Sequence, residues 1–324
     1  MLRLGTFQGG SSEALAVNGI GLAAGQVSFD IAGGYRPALF IPGFAPLPIH
    51  TDGPGEATGI NNRTEISGWF RQGGYTQAFR WFKGHIETLA SLGGGHSHAA
   101  GINNRSEIVG WSEAAPGASH AMYWWKDKFV DLGTWGGYAA QATAINDHGD
   151  IVGFREVVQN GVGVRQGVRA LRGKAPQLLP TPPGFDAVVP TSINDHGDIT
   201  GYVYPATNFL FGRVAFIYSN GKYRLMPNPA GHPTVGLCIN NRRDVAGFHF
   251  DGNADPRNRG TLWLDKGDTA VGLDYLPAAL STGWTDLADA TALNDAGVIV
   301  GYGLRVPRPG RSSLEAFMLV PTHR

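Results

Sequence analysis

The stretch Ala144-Ile145-Asn146-Asp147-His148-Gly149-Asp150-Ile151-Val152-Gly153 decides how this chain is read, because it recurs along the whole sequence. The other copies are AVNGIGLAAG around Asn18, GINNRTEISG around Asn61, GINNRSEIVG around Asn103, SINDHGDITG around Asn194, CINNRRDVAG around Asn240 and ALNDAGVIVG around Asn294. Successive Asn residues are 43, 42, 43, 48, 46 and 54 positions apart, a mean of 46. Seven such units account for all 324 residues, so residues 1–324 read as one domain.

Each unit carries more than this phrase. A small residue followed by apolar and aromatic positions comes next, as in PALFI (37–41), QAFRW (77–81), HAMYW (120–124), VAFIY (214–218) and EAFML (315–319). RALRG (169–173) and GTLWL (260–264) are weaker copies. A closing phrase is fullest at Val130-Asp131-Leu132-Gly133-Thr134-Trp135-Gly136-Gly137, with a variant at 88–94. The unit is therefore four short apolar runs punctuated by Gly, Asn, Asp and Pro, which is strand and turn chemistry. Helical periodicity is confined to 276–287. Four strands per unit at this period predict an all-β, seven-bladed β-propeller of four-stranded antiparallel blades.

The two ends predict how the ring closes. The last unit stops after its third run, Glu315–Val320, while Leu2-Arg3-Leu4-Gly5-Thr6 matches the closing phrase at 130–134. The N-terminal strand is expected to join the last blade and remove an open strand edge.

Composition narrows the function. Gly 48 and Pro 20 suit a turn-rich fold, and 42% hydrophobic residues with 8 Trp, 10 Tyr and 16 Phe exclude disorder. Lys+Arg 26 against Asp+Glu 26 gives zero net charge, so neither nucleic acid nor a membrane surface is an expected partner. One Cys rules out an intrachain disulfide or a Cys-based zinc cluster. Without a signal-like leader the expected compartment is the cytoplasm, with secretion as the alternative. A monomer is expected.

The phrases His120-Ala121-Met122-Tyr123-Trp124 and Asp131-Leu132-Gly133-Thr134, together with the Ile-Asn phrase, resemble the HAF-type extracellular repeat family. Its consensus runs approximately small-x-A-x-x-INxxGxIVG, HAFLW, DLGTLGG. The resemblance covers essentially the whole chain and implies the repeat fold. It implies no particular activity. Blades 4 to 7 depart from it in their longer, more individual loops.

Small residues recur on the innermost strand (Ala14, Ala57, Ala99, Ala142, Gly236 and Ala290, then Ala16, Gly59, Gly101, Ala144, Cys238 and Ala292), as sheets converging on an axis require. Cys238 reads as a packed thiol in such a slot. The turns after this strand are short and alike. The opposite loops (157–168, 203–213, 249–259 and 304–314 within blades, 48–55, 180–186, 227–233 and 275–286 between them) are individual, which marks that rim as the functional one.

Five residues before each repeat Asn the blades offer Glu13, Glu56, His98, Gln141, Val189, Val235 and Asp289. Four ionisable groups thus fall on the contiguous blades 7, 1, 2 and 3, where low-dielectric walls can move pKa values for acid–base work. Glu56 and His98 are the candidate catalytic pair, supported by Glu13 and Asp289. Gln141, His96, His50, Tyr138, Trp135 and Trp284 are candidate substrate contacts around an axial funnel. His96 and His98 alone are too few ligands for a catalytic metal, so no metal and no cofactor are expected. The Asp-His-Gly-Asp turns lack the ligand pattern of a calcium loop. The expected function is acid–base catalysis of cyclase, lyase or hydrolase type on a largely apolar small molecule. The alternative is a non-catalytic module that binds a protein or glycan on one rim.

Overall fold

The computed structural model describes all residues except 30–33, 51, 227–230, 253–257, 309–310 and 322–324. The strands it describes form seven four-stranded antiparallel sheets, six built from one repeat each and the seventh from the last repeat and the N-terminal strand. Blade 3 shows the pattern: inner strand Ser97–Ile102, then Glu107–Ala115, Ala118–Trp125 and outer strand Lys128–Gly133. Inner strands elsewhere are Ser12–Val17, Gly55–Ile60, Ala139–Ile145, Ala187–Ile193, Thr234–Ile239 and Trp284–Leu293. Among the described residues α-helix is limited to Pro277–Leu280, inside the one segment with helical periodicity.

The ring closes as the two termini predict. Leu2–Gly5 pairs antiparallel with Arg311–Leu319, in register Leu2↔Met318 and Arg3↔Phe317, and completes the last blade. Leu4 is buried at 2% exposure against Ala14, Phe40, Val300 and Met318, so this strand joins the core between blades 7 and 1.

The repeat Asn holds the blades together around the axis. Each Asn Nδ2 donates to the backbone carbonyl of the Asn in the next blade, from Asn18 to Asn61 and on round to Asn294, which donates back to Asn18. The seven donor–acceptor distances are 2.9–3.3 Å. The same side chain caps its own turn: Asn146 Oδ1 accepts the N–H groups of His148 and Asp150 at 3.1 and 2.8 Å. Asn146→Ala leaves a buried carbonyl and two turn N–H groups without these partners, an expected loss of about 2–4 kcal/mol. Urea unfolding measures it, and an unchanged midpoint would contradict a structural role for the ring.

Every inner strand bulges three residues before its Asn, so the register slips by one between Ala14/Ala16, Ala57/Gly59, Ala99/Gly101 and their equivalents. Where the bulged residue is Thr, its hydroxyl donates to the carbonyl of the next blade: Thr58 to Ala99 at 2.7 Å, Thr143 to Pro190 at 2.9 Å, Thr191 to Gly236 at 2.8 Å and Thr291 to Ala14 at 2.7 Å. This fold-back lets a one-residue defect in the ladder become an inter-blade contact.

Two of the expected loops are strands instead. Residues 157–168 belong to a long hairpin, Ile151–Gln159 paired with Val162–Ala170, and 304–314 lie mostly in Ile299–Arg308 and Arg311–Leu319. Alternating Val and polar residues, with Asn160-Gly161 at the tip, extend the pairing beyond the disc. The expected loops 227–233 and 249–259 fall partly outside the described residues.

Candidate functional site

The residues five before each Asn sit at the end of the inner strand away from the Asn turns. Each pairs across the ladder with the first residue of a second ring on strand two: Glu13↔Gln26, Glu56↔Trp69, His98↔Trp111, Gln141↔Phe154, Val189↔Tyr202, Val235↔Phe248 and Asp289↔Tyr302. Six of these seven partners are aromatic. They follow directly on the closing Gly of the repeat phrase (Gly68-Trp69, Gly110-Trp111, Gly301-Tyr302), a signal present in the sequence that the search for ionisable groups passes over.

His98 lies between two indoles. Its ring centroid is 4.7 Å from Trp69 of blade 2 and 4.4 Å from Trp111 of its own blade, nearly parallel to both at 25° and 20°. Its Nε2 is 2.8 Å from the Thr76 hydroxyl, which also lies 3.0 Å from His96 Nδ1. The Thr76 backbone N–H donates to that same His96 Nδ1 at 3.2 Å, so the Thr76 hydroxyl bridges the two imidazoles. Burial, with a smaller push from His96, lowers the His98 imidazole from 6.5 to about 4.

The carboxyls are held the other way. Burial raises Glu56, against the Trp69 indole N–H that donates to it at 3.3 Å. Burial also raises Glu13, against donors from Gln26 (2.7 Å) and Tyr35, with a further push from Asp289. Asp289, 7% exposed, is raised by burial, while it accepts from the hydroxyl of Tyr302 and from Asn258 Nδ2 at 2.9 Å. The arc therefore combines carboxyls that hold protons longer than usual with an imidazole that stays neutral to lower pH than usual.

His98 has a checkable pH consequence. Its folded value lies below the unfolded 6.5, so the unfolded chain takes the proton first. Stability supplied by the neutral ring is lost as pH falls through 6.5 and is fully gone below about 4. The raised carboxyls act oppositely, favouring the folded state as they protonate. An NMR titration should find the His98 ring neutral at pH about 5.5, and His98→Gln should flatten the stability profile between the two values. A midpoint near 6.5 would refute the sandwiched geometry.

The other candidates separate into three groups. His96 and Gln141 join the ring at half-buried positions, and His96 meets the edge of Tyr75 at 5.6 Å. His50 stacks on Phe70 at 4.2 Å in the connection before blade 2, and Tyr138 stands 52% exposed on the rim beside Glu156. Trp135 and Trp284 lie away from the arc. Trp135 packs between blades 3 and 4 with Tyr123, Leu132 and Ala170, and Trp284 is 7% exposed within the inner strand of blade 7, edge-on to Phe317 at 5.9 Å. Trp284 is drawn into the core because apolar area is gained there, while Trp135 is partly buried and lines a cleft of about 430 Å³ between the blades. Cys238 occupies its axial slot with Sγ 3.5 Å from the Leu293 carbonyl, and burial raises its thiol. Among the described residues no three His, Cys, Asp or Glu side chains gather as a metal would need. No helix there is long and apolar enough to cross a membrane.

This geometry defines a seven-bladed β-propeller closed by its N-terminal strand. No protein-family model matches the chain, and no curated protein matches it. The β-propeller domain of the Trilobed protease from Pyrococcus furiosus, described as having an open velcro topology, is similar at 9% identity over 95% of each chain, TM-score 0.60. The Pyrococcus horikoshii acylaminoacyl peptidase is similar at 10% identity over 96% of this chain and 51% of that one, TM-score 0.55. TolB from Acinetobacter baumannii is similar at 12% identity over 77% of this chain and 62% of that one, TM-score 0.52. The chain thus spans about half of that peptidase and under two thirds of that TolB. Identities this low speak for the fold alone.

Proposed function

We propose that this propeller is a small-molecule enzyme that works by acid–base chemistry on a largely apolar organic compound, bound at the loop-side ends of the inner strands of blades 7, 1, 2 and 3. The observation that carries this reading is His98 held neutral between the Trp69 and Trp111 indoles, beside a Glu56 carboxyl bonded to the same Trp69. The His98 imidazole serves as the base and the Glu56 carboxyl as the acid. Glu13 and Asp289 tune the charge of the arc, and the strand-two aromatics supply flat apolar contact. No covalent nucleophile is needed, so cyclisation, elimination and hydrolysis are the reaction types that fit. On this reading the likeness of the repeat phrases to those of HAF-type repeat proteins is one of family, and a monomer suffices for the site.

Activity screening on a panel of apolar esters, epoxides and unsaturated ketones tests the proposal. Glu56→Gln and His98→Ala should each lower turnover about 100-fold or more, with folding intact by circular dichroism. Unchanged turnover in both variants removes them as the acid–base pair. A second reading, a non-catalytic module presenting one rim to a protein or glycan, rests on the exposed rim aromatics Tyr75, Tyr138, Phe209 and Phe211. It is favoured if substitutions there abolish partner binding while the arc variants leave it intact.

A further inference from the structure

A cleft of about 530 Å³ opens on the opposite rim, among the Asn turns of blades 2 and 3. It carries five cationic side chains, Arg63, Arg80, Arg105, Lys126 and Arg172, against two carboxylates, Glu65 and Glu107. Both carboxylates are 2% exposed and already saturated. Glu65 is held by Arg63 at 3.1 Å, by Arg80, by the Ser106 hydroxyl and by the Asn61 amide. Glu107 is held by Arg105 at 3.2 Å, by Arg172, by Asn103 at 2.6 Å and by the Tyr123 hydroxyl at 2.8 Å. These contacts keep both carboxyls below the usual range, so they stay ionised.

The lining therefore retains an excess of three positive charges on a chain whose net charge is zero. Exposed Glu87, 3.5 Å from Arg80, offsets one at the margin, and Lys83 nearby restores it. Two donors stand ready. Arg80 Nε is buried and finds no hydrogen-bond partner among the described residues. Arg105 keeps a half-exposed guanidinium whose Nε alone is committed to Glu107. Two flat apolar faces border the same cleft: Phe82, with Lys83 Nζ 5.1 Å from its ring, and Trp125, 36% exposed, with Lys126 Nζ at 4.5 Å. Guanidinium forks match a doubly charged oxyanion, and the rings match a planar group joined to it.

We infer that this cleft is a binding site for a doubly charged anion carried on a flat ring, such as an aromatic phosphate. It lies on the far rim from the acid–base arc and is independent of it. Calorimetric titration with phenyl phosphate, inorganic phosphate and phenol at low salt is the test. Phenyl phosphate should bind saturably and weaken as salt rises, inorganic phosphate should bind about tenfold more weakly, and phenol should not bind. Lys126→Gln, on a side chain that holds neither buried carboxylate, and Arg105→Gln should each weaken phenyl phosphate about tenfold. Trp125→Leu should bring phenyl phosphate down to the affinity of inorganic phosphate. Absence of saturable phenyl phosphate binding overturns the inference, as does binding unchanged in Lys126→Gln or inorganic phosphate binding as tightly as its phenyl ester.

Discussion

Deleting residues 1–8 is expected to lower the unfolding free energy by about 5 kcal/mol, a large share of the stability of a single domain. Three losses combine. The Leu4 side chain leaves a core of Ala14, Phe40, Val300 and Met318, which by itself resembles a large-to-small core substitution of about 3 kcal/mol. The bidentate Arg3 partner of Glu315 disappears, and that carboxylate is 2% exposed, so a buried charge is left with Arg305 at 3.8 Å as its remaining ion pair. The Ser12 hydroxyl loses the Gly5 carbonyl it donates to at 2.6 Å. The deletion also bares the edge of Arg311–Leu319, so self-association at high concentration should accompany the loss. Leu4→Ala should reproduce about half of the effect without baring that edge. Equal urea midpoints for truncated and full chains would mean that the N-terminal strand does not close the ring.

The second large effect is expected at a glycine. A Cβ built on Gly110 would meet the His98 carbonyl oxygen at 2.0 Å and the Ala99 Cα at 2.9 Å, inside the 3.0 Å that real Cβ atoms keep, and both are backbone atoms that cannot swing away. Gly110→Ala should therefore cost about 3 kcal/mol or more and displace His98 from between its indoles. The same closing glycine in every other blade meets the carbonyl of its own partner: Gly25 that of Glu13, Gly68 that of Glu56, Gly301 that of Asp289. Gly101 in the same repeat is the control. Its nearest neighbour is 3.9 Å away, and blades 1, 4 and 7 carry Ala16, Ala144 and Ala292 there, so Gly101→Ala should be nearly neutral. Thermal melts of the two variants separate the cases, and equal shifts would show that the bulge does not press the strands together.

Both expectations turn on the border between local pattern and ring geometry, and the candidate site divides along that border. Glu56 and His98 could be singled out because five positions before an Asn is a countable offset. That Trp69 and Trp111 enclose His98 could not, although the aromatic after six of the seven closing glycines was equally countable. Contact between Trp69 and His98 joins strands of different repeats, and no local period reports which faces of neighbouring sheets meet. Trp135 and Trp284 divide along the same border. Both stand beside connections in the sequence, yet the Trp284 ring is turned inward, where a large apolar side chain gains most, while Trp135 stays partly buried between blades 3 and 4.

The sequence by itself determined the seven units, their four strands, the all-β class and the N-terminal closure, because these follow from residue period, turn chemistry and a missing last phrase. It also determined that a polar arc falls on blades 7, 1, 2 and 3. Only the tertiary structure decided that the repeat Asn side chains link into a closed ring of hydrogen bonds. It alone decided that each inner strand bulges against a closing glycine, and that arginines from blades 2, 3 and 4 gather in one cleft. The physical reason is separation along the chain. Arg63 and Ser106, or Arg172 and Glu107, are brought together by the angle between adjacent blades, and that angle is set by the packing of whole sheets around the axis rather than by any segment short enough to read.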